Sequence, residues 1–499
     1  MKKFMILAAV AMLVGGASAA VRDTISLNAG WQFHLGELSG IEAVKNAKSE
    51  RVNLPHDFLI GQPWVEPDAS ERPDNSDAGS NVRSRLSPRG FKEMNVGWYR
   101  YVLTPKAEWK GKRVVLDFQG IMLVGDVWLN GKHIGKTDYG YLGFDTDISS
   151  MLKYDGDNEI IVKANTQQPN NSRWYTGGGL YRDVNLIVTD KKLYFPRHPL
   201  FIRTENNKKV KIQAEIACFN KVDNIPAEVK IYDANGEVVA QKKQNIVFNG
   251  KWRTREYELQ PIEIDNANLW SCESPYLYTA EVTLFDNQGN AVDQIREQFG
   301  VRTIEFSPDF GFKLNGKKVL LKGYANHHTL GALGAAAYPR AIEKRIQLMK
   351  SFGYNHIRTS HNPYSEDFMR LCDRYGILVV DELYDKWLTQ YAGGRVEWEA
   401  LWQRDVPEWV KRDRNHPCVV LWSLGNELQQ YPNLPFNDWG VTAYKLQREL
   451  LHRYDNTRLT TVAMHPRYRD IDTDSIPAPL AIATEVNTYN YRYMYFPGD

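Results

Sequence analysis

Asn426 and Glu427 are the residues whose types and position best suit them to chemistry. They follow an almost wholly apolar run at 418–422, which is typical of a strand buried on both faces of a parallel sheet. Gly425, between the run and the pair, is expected to let the backbone turn. A carboxyl group at the end of such a strand can act as a general acid or base, and the amide beside it can bind a substrate hydroxyl. The alternative is that Asn426 caps a helix whose first turn contains Glu427.

Polar residues recur after the other predicted strands of this region. Apolar runs alternate with helical patterns, including a helix from about Pro339 to Phe352, which predicts βαβ units in a parallel sheet. The predicted strands lie near 319–323, 355–359, 377–381, 419–425, 458–464 and 482–488. The polar pairs that follow them are His327 and His328, His361 and Asn362, Asp381 and Glu382, and Asn426 and Glu427. Four such clusters indicate a catalytic face of a (β/α)8 barrel.

Several longer motifs carry a family resemblance that covers nearly everything after residue 20. They are Arg412 to Pro417, Trp422 to Glu427, Ile357 to Pro363 and Trp174 to Val184. The chain resembles glycoside hydrolase family 2, in particular the β-galactosidases of Bacteroides-type gut bacteria. The resemblance implies a retaining enzyme that cleaves terminal β-D-galactosides, with Glu427 as general acid/base. A β-glucuronidase or β-mannosidase of the same family, or a non-catalytic carbohydrate-binding fragment, stays open as an alternative.

The resemblance also assigns sugar-binding roles. It implies that Asn426, His361, His328 and Tyr491 contact the substrate, with Tyr491 next to the nucleophile. Ser172 occupies the position at which some relatives carry a sodium-binding aspartate. We therefore expect neither a metal ion nor a cofactor, although relatives use magnesium or sodium.

The second carboxylate of a retaining mechanism is not evident in the sequence. In the family the nucleophilic glutamate follows the seventh barrel strand, whereas six strands are predicted in this chain. Glu382 and Glu485 are the other candidates, and supporting hydrogen-bonding roles are favoured for both. We therefore expect the nucleophile to lie beyond Asp499, and the 499-residue chain by itself to be nearly or wholly inactive.

The rest of the sequence predicts a multidomain fold. Residues 1–19 have the pattern of a signal peptide, which predicts a periplasmic location. Residues 20–190 have a β-rich pattern with a hairpin turn at Asn130 and Gly131, and the resemblance implies that they form a β jelly-roll sugar-binding domain. Residues 191–302 are expected to form an immunoglobulin-like β-sandwich, and 303–499 an incomplete TIM barrel of about six strands.

Composition limits the partners. With 62 Lys and Arg against 60 Asp and Glu, the net charge is +2, so neither nucleic acid nor an anionic membrane is implied as a partner. A content of 14 Trp and 27 Tyr suits a carbohydrate partner, and a homo-oligomer stays open. Cys372 and Cys418 are expected to be buried thiols, whereas a disulfide between Cys218 and Cys272 is left open.

Overall fold

A computed structural model describes residues 21–65, 90–167, 174–248, 253–387, 395–428, 434–464 and 478–491. The predicted signal peptide and Ser172 lie outside the described residues. Most of a polar insertion between Pro63 and Gly90 does so as well. The described chain forms three successive regions, each with a different sheet architecture.

The first region is an antiparallel β-sandwich. One sheet has the strand order β1-β10-β5-β8 and the other the order β3-β2-β4-β9-β6-β7. Alternating inward side chains fill the space between the sheets with an apolar core. Asn130 and Gly131 both have positive φ, which fits the predicted two-residue hairpin turn between β6 and β7. The strands are β1 (Asp23–Ser26), β2 (Trp31–Leu35), β3 (Glu50–Val52), β4 (Val96–Leu103), β5 (Arg113–Phe118), β6 (Val124–Leu129), β7 (Lys132–Thr137), β8 (Phe144–Asp147), β9 (Asn158–Asn165) and β10 (Val184–Thr189).

The second region is a smaller β-sandwich with its own apolar core. One sheet is built around β13 and the other has the order β15-β14-β18-β19. Strands β13 and β14 alternate buried and partly exposed residues, as expected when one face covers a core. The strands are β11 (Leu193–Tyr194), β12 (Leu200–Glu205), β13 (Lys209–Cys218), β14 (Asn224–Tyr232), β15 (Val238–Val247), β16 (Thr254–Glu258), β17 (Ile262–Glu263), β18 (Tyr278–Phe285) and β19 (Ala291–Phe299).

The third region is a parallel sheet with helices, preceded by a small antiparallel sheet of β20 (Ile304–Ser307), β21 (Gly311–Leu314) and β22 (Lys317–Lys318). The six parallel strands pair in chain order and confirm the predicted partial barrel. They are β23 (Gly323–Asn326), β24 (His356–Thr359), β25 (Leu378–Glu382), β26 (Val419–Asn426), β27 (Thr460–Met464) and β28 (Val486–Tyr489). The helices are α1 (Pro339–Ser351), α2 (Glu366–Tyr375), α3 (Trp398–Asp413), α4 (Val441–His452) and α5 (Ala478–Ala483).

Local sequence explains where the barrel helices begin and end. Pro339 starts α1, where its missing amide hydrogen costs nothing. The side chain of Ser365 caps α2 by accepting a hydrogen bond from the amide of Phe368, and Gly376 ends that helix in the left-handed conformation. None of the helices in the described ranges is long and apolar enough to cross a membrane.

One detail of the sequence analysis was wrong, and one open question is answered. The first barrel strand is Gly323–Asn326 and not 319–323, because Lys317 and Lys318 return in an antiparallel hairpin with β21. The open possibility of a disulfide is also not realised. Cys218 and Cys272 are separate free thiols in two different apolar cores.

The buried carboxylate of Asp57 joins the first region to the barrel. It accepts hydrogen bonds from the Ala335 amide at 2.7 Å, the Tyr175 hydroxyl at 2.7 Å, the Gly178 amide at 2.9 Å and the Leu59 amide at 3.0 Å. All four partners donate, so the site requires a group with two accepting oxygens. Ala335 belongs to the segment between β23 and α1, so this one carboxylate fixes the first region against the barrel.

We expect Asp57→Asn to destabilise this junction. An amide nitrogen cannot accept, so at least one buried donor loses its partner, at a cost of about 1–3 kcal/mol. The thermal unfolding midpoint should fall, and protease cleavage between the first region and the barrel should become faster. Asp155→Asn, at an exposed position of the same region, is the control and should change neither property. Equal midpoints for the two variants would contradict the prediction.

Candidate active site

A cavity of about 500 Å³ opens at the C-terminal ends of the barrel strands. Strands β23, β24 and β28 contribute Ala325, Arg358 and Tyr489, and Glu427 follows β26. Because parallel strands bring their C-terminal ends to one edge, residues distant in sequence meet at this cavity. Among the described residues, the lining consists of Trp174, Ala325, His327, Arg358, His361, Glu427, Tyr489, Asn490 and Tyr491.

Glu427 lies in the wall of the cavity with 3% of its surface exposed. Its Oε1 accepts a hydrogen bond from Nδ2 of Asn490 at 3.1 Å. Its Oε2 lies 3.8 Å from the ammonium nitrogen of Lys386, which is itself buried. The carboxyl group is therefore held in one orientation at the cavity, as an acid/base residue requires.

The turn that directs Glu427 differs from the expected one. Gly425 is still part of β26, and the turn occurs at Glu427 itself, whose φ is +53°. A Cβ at position 425 would lie 3.0 Å from the indole nitrogen of Trp387 and 3.0 Å from Leu428, so glycine is required for close packing. The positive φ of Glu427 is rarely adopted by a side chain of this kind, and such strain is concentrated at functional sites.

Asn426 is fully buried and orients the residues around it. Its Oδ1 accepts from Arg358 at 2.8 Å and from Asn490 at 2.9 Å, and its Nδ2 donates to Asp385 at 2.9 Å. The helix-capping alternative is therefore wrong, because the side-chain oxygen serves these two donors. One amide hydrogen of Asn426 takes no part in these contacts. The hydrogen bond from Asn426 to a substrate hydroxyl therefore stays a prediction.

Glu382 is the central anion beneath the cavity. Its Oε2 accepts from Nη2 of Arg358 at 2.7 Å, Nε of Arg358 at 3.0 Å and Oγ of Ser423 at 2.6 Å, and its Oε1 lies 2.5 Å from Nδ1 of His361. Burial alone would raise the pKa of Glu382, but Arg358 and His361 more than offset it and hold that pKa below its usual range. A carboxylate so fully bound is not available as a nucleophile, which agrees with the supporting role predicted for it.

His361 is held by this carboxylate and lines the cavity. Because Nδ1 faces Glu382, Nε2 is the ring nitrogen left for a ligand. Trp174, from the first region, stacks on His327 with ring centres 4.7 Å apart and lies 5.3 Å from the ring of His361. These three rings form an aromatic wall, and such walls contact the apolar face of a pyranose.

The structure does not bring His328 into this cavity. Its ring is buried among Tyr141, Tyr181 and Tyr364, and Nε2 lies 3.3 Å from the carbonyl oxygen of Thr176. Burial lowers the pKa of His328 to about 3, so the ring is neutral. His327 occupies the place expected of His328, and its Nδ1 lies 3.0 Å from the carbonyl oxygen of Ser360.

Tyr491 and Glu485 lie at very different places. Tyr491 is at the rim of the cavity and is 60% exposed. Glu485 precedes β28, and its carboxylate accepts from the amide and the hydroxyl of Thr460, the first residue of β27. Glu485 therefore lies at the N-terminal ends of the strands, whereas the cavity opens at their C-terminal ends. Glu485 therefore has the supporting role predicted for it.

Asn490 is a functional residue that the sequence analysis missed. Its Nδ2 bonds both Asn426 and Glu427, so one side chain sets the relative position of the candidate acid and its neighbour. The signal was present, because Asn490 follows the sixth strand as the other polar residues follow theirs. Across the described ranges, no group of three or more His, Cys, Asp or Glu side chains could hold a metal ion.

Comparisons with known proteins agree with this architecture. Residues 91–180 match the family model "Glycosyl hydrolase 2 galactose-binding domain-like", 198–302 match "Glycosyl hydrolases family 2", and 308–484 match "Glycosyl hydrolases family 2, TIM barrel domain". The fold and the cavity are those of the multidomain barrel proteins that bind or cleave glycosides. The chain belongs to glycoside hydrolase family 2.

Individual relatives point to two related activities. The β-galactosidase BoGH2A of Bacteroides ovatus is 32% identical over 82% of this chain and 47% of its own length. A β-glucuronidase of Bacteroides fragilis is 28% identical over 89% of this chain and 61% of its own length. A solved family 2 structure from Bacteroides cellulosilyticus DSM 14838 superposes with a TM-score of 0.80 at 31% identity, covering 95% of this chain and 61% of that one. The chain thus spans about half the length of the curated relatives it matches.

We expect Glu382→Gln to destabilise the barrel in a pH-dependent way. Removing the carboxylate leaves the buried charge of Arg358 unpaired, at a cost of about 3–5 kcal/mol. Because the folded pKa of Glu382 is lowered, its contribution to stability is present at neutral pH and is lost as the pH falls through that value. The difference in unfolding midpoint between wild type and Glu382→Gln should be large at pH 7 and should narrow only when the pH falls below the usual pKa range of a glutamate.

The matched control for this series is Glu42→Gln. Glu42 is exposed, so its loss should leave the midpoint unchanged at either pH. A difference between wild type and Glu382→Gln that stays the same from pH 7 down to the acid limit of the folded state would show that the charge of Glu382 does not stabilise the fold.

Proposed function

We propose that this protein is a retaining glycoside hydrolase that removes terminal β-D-galactosyl residues, with Glu427 as its general acid/base. The observation that carries the proposal is the orientation of the Glu427 carboxyl by Asn490 and Lys386 in the wall of an aromatic-lined cavity. In this mechanism Glu427 protonates the glycosidic oxygen as the leaving sugar departs. It then removes a proton from the water that releases the bound galactose.

The second carboxylate is proposed to come from residues beyond Asp499. A retaining mechanism requires a nucleophile about 5 Å from the acid/base. Among the described residues that line the cavity, Glu427 is the single carboxylic acid, while Glu382 lies beneath it in an ion pair. That the chain spans about half the length of its curated relatives supports this part of the proposal.

A galactoside is favoured over a glucuronide by the charge of the cavity. A glucuronide carries a carboxylate, which a binding site must match with a free cation. Among the described lining residues, Arg358 supplies the guanidinium, and it is already neutralised by Glu382 and bound to Asn426. β-Glucuronidase activity is the second candidate because one of the curated relatives is named a β-glucuronidase and two are named putative β-glucuronidases.

The test is hydrolysis of aryl β-D-galactosides, β-D-glucuronides and β-D-mannosides by this chain and by a version extended to the end of its reading frame. For Glu427→Gln we expect a loss of about 10²- to 10⁴-fold in kcat/KM on a methyl or alkyl galactoside. The loss should be much smaller on a dinitrophenyl galactoside, because that leaving group needs little protonation. Glu485→Gln, at the opposite end of the strands, is the control and should retain activity.

Three results would change the proposal. Equal losses on good and poor leaving groups would remove Glu427 from the acid role. Faster hydrolysis of the glucuronide would favour the second candidate. Galactoside binding without hydrolysis by either version would indicate a carbohydrate-binding protein.

The two neighbouring histidines provide a second test. We expect His327→Ala to raise KM for the galactoside by about tenfold or more, because the ring stacked on Trp174 is lost from the cavity wall. His328→Phe should leave KM unchanged, because His328 lies outside the cavity, and should alter the unfolding midpoint instead. The reverse pattern in steady-state kinetics would restore His328 as the sugar-binding histidine.

We also propose that the protein acts in the periplasm, on the basis of the positively charged, apolar and small-residue pattern of residues 1–19. Cell fractionation with an antibody against the mature chain tests this. Recovery with cytoplasmic markers would contradict it.

A further inference from the structure

A second cavity, of about 230 Å³, lies between the second region and the N-terminal ends of the barrel strands. Its lining includes four arginines, Arg203, Arg302, Arg414 and Arg458, and no described Asp or Glu. Arg203 lies in the second region and Arg302 at the C-terminal end of that region, whereas Arg414 and Arg458 belong to the barrel. The described lining of this cavity therefore carries four guanidinium groups and no carboxylate.

The charge of Arg302 is not balanced by an ion pair. Its Nε donates to the carbonyl oxygen of Pro417 at 2.5 Å, and its Nη2 donates to that of Val419 at 2.7 Å. Nη1 has no hydrogen-bond partner among the described residues. Burial, together with the nearby charge of Arg458, lowers the pKa of Arg302 to about 9. The charged form of this guanidinium is therefore less favourable here than in water.

Arg414 is in the same situation. Its Nε and Nη1 donate to the carbonyl oxygens of Leu200 at 3.3 Å and Tyr454 at 2.9 Å, and its guanidinium stands over the ring of Phe201. Nη2 has no recorded partner in the described ranges. Burial lowers the pKa of Arg414 to about 10. Two guanidinium groups, that of the buried Arg414 and that of the half-buried Arg302, thus face one cavity, and each has a terminal nitrogen without a hydrogen-bond partner among the described residues.

The other two arginines are partly neutralised. Arg458 pairs with Asp455 at 2.7 Å. Arg203 pairs with Glu258 through one terminal nitrogen, while its buried Nε has no hydrogen-bond partner. These two pairs leave Arg302 and Arg414 without a salt-bridge partner among the described residues.

An arrangement made only to tie down backbone carbonyls does not account for these features. Binding of carbonyl oxygens explains the N–H groups of Arg302 and Arg414 that donate hydrogen bonds. It does not explain why other N–H groups of these two side chains have no acceptor among the described residues, or why four positive side chains meet at one cavity. Guanidinium charges that are partly withdrawn from water and lack an ion-pair partner are unfavourable, and an anion in the cavity would offset that cost. Forked guanidinium donors match the oxygens of a tetrahedral oxyanion.

We propose that this cavity is a binding site for a tetrahedral oxyanion, the phosphate or sulfate group of a free ion or of a small ester. The site is distinct from the candidate active site and does not depend on the proposed hydrolase activity. Arg302 and Arg458 both bond the carbonyl oxygen of Val419, the first residue of β26, whereas Glu427 follows the other end of that strand. A bound oxyanion would join the second region to the base of the strand that carries the candidate acid.

The test compares the complete protein in sodium phosphate, sulfate, acetate and chloride at one pH and constant ionic strength. We expect phosphate or sulfate to raise the unfolding midpoint by about 2–4 °C in a saturable manner. Calorimetric titration should give a one-to-one stoichiometry. Acetate and chloride should give neither effect. Equal shifts in all four salts would reduce the effect to ionic strength and overturn the proposal.

Variants assign the effect to this cavity. Arg203→Gln removes a partly exposed member whose ion pair contributes little to folding, and it should weaken phosphate or sulfate affinity at least about fivefold. Arg340→Gln removes one positive charge from a side chain that is 94% exposed on α1, and it should bind the ion as wild type does. Unchanged affinity in Arg203→Gln and in a second variant, Arg302→Lys, would overturn the proposal.

A final titration distinguishes the source of the oxyanion. Glucose 6-phosphate that binds at least as tightly as inorganic phosphate would indicate an ester site. Binding of the free ions alone would indicate an ion site.

Discussion

The buried carboxylate of Glu382 is the interaction on which the candidate active site depends. It receives Arg358 and His361 from β24 and the loop after it, and Ser423 from β26, so three consecutive segments of the sheet are held at one point. Arg358 also donates a hydrogen bond to the side chain of Asn426, the neighbour of the candidate acid, and so fixes its position. The acid itself is positioned by Asn490 and Lys386. Preorganisation of this kind keeps reacting groups in place without cost at the moment of reaction.

The apolar periodicity of the sequence predicted most of the architecture, because buried parallel strands and amphipathic helices leave strong patterns. The polar residues after the strands were predictable for the same reason. The first barrel strand was placed too early, at 319–323, and the resemblance assigned the sugar contact to His328, whereas His327 lines the cavity. Once β23 is known to be Gly323–Asn326, side-chain alternation puts Ala325 and His327 on the same face. The exact start of a strand and its pairing depend on the neighbouring strands in the folded protein. A hairpin directly before the strand is enough to hide that start in the sequence.

Other features were outside the reach of sequence patterns. The positive φ of Glu427 leaves no mark in the apolar pattern, and neither does the tight packing of Trp387 and Leu428 around Gly425. The four converging arginines lie in segments separated by more than two hundred residues, and only the folded junction brings them together. Patterns of apolar residues report which surfaces are buried, whereas charge clusters of this kind depend on which buried surfaces meet.

The carboxylate of Asp57 also has a consequence for the order of folding. Its partner amide at Ala335 lies 278 residues further along the chain. A chain that emerges from its N-terminus presents the first β-sandwich long before the segment that satisfies this group. The sandwich must therefore form with one side of Asp57 still in water, and it closes when the loop after β23 arrives. Maturation of the first region is thus tied to the barrel, even though each has strands and a core of its own.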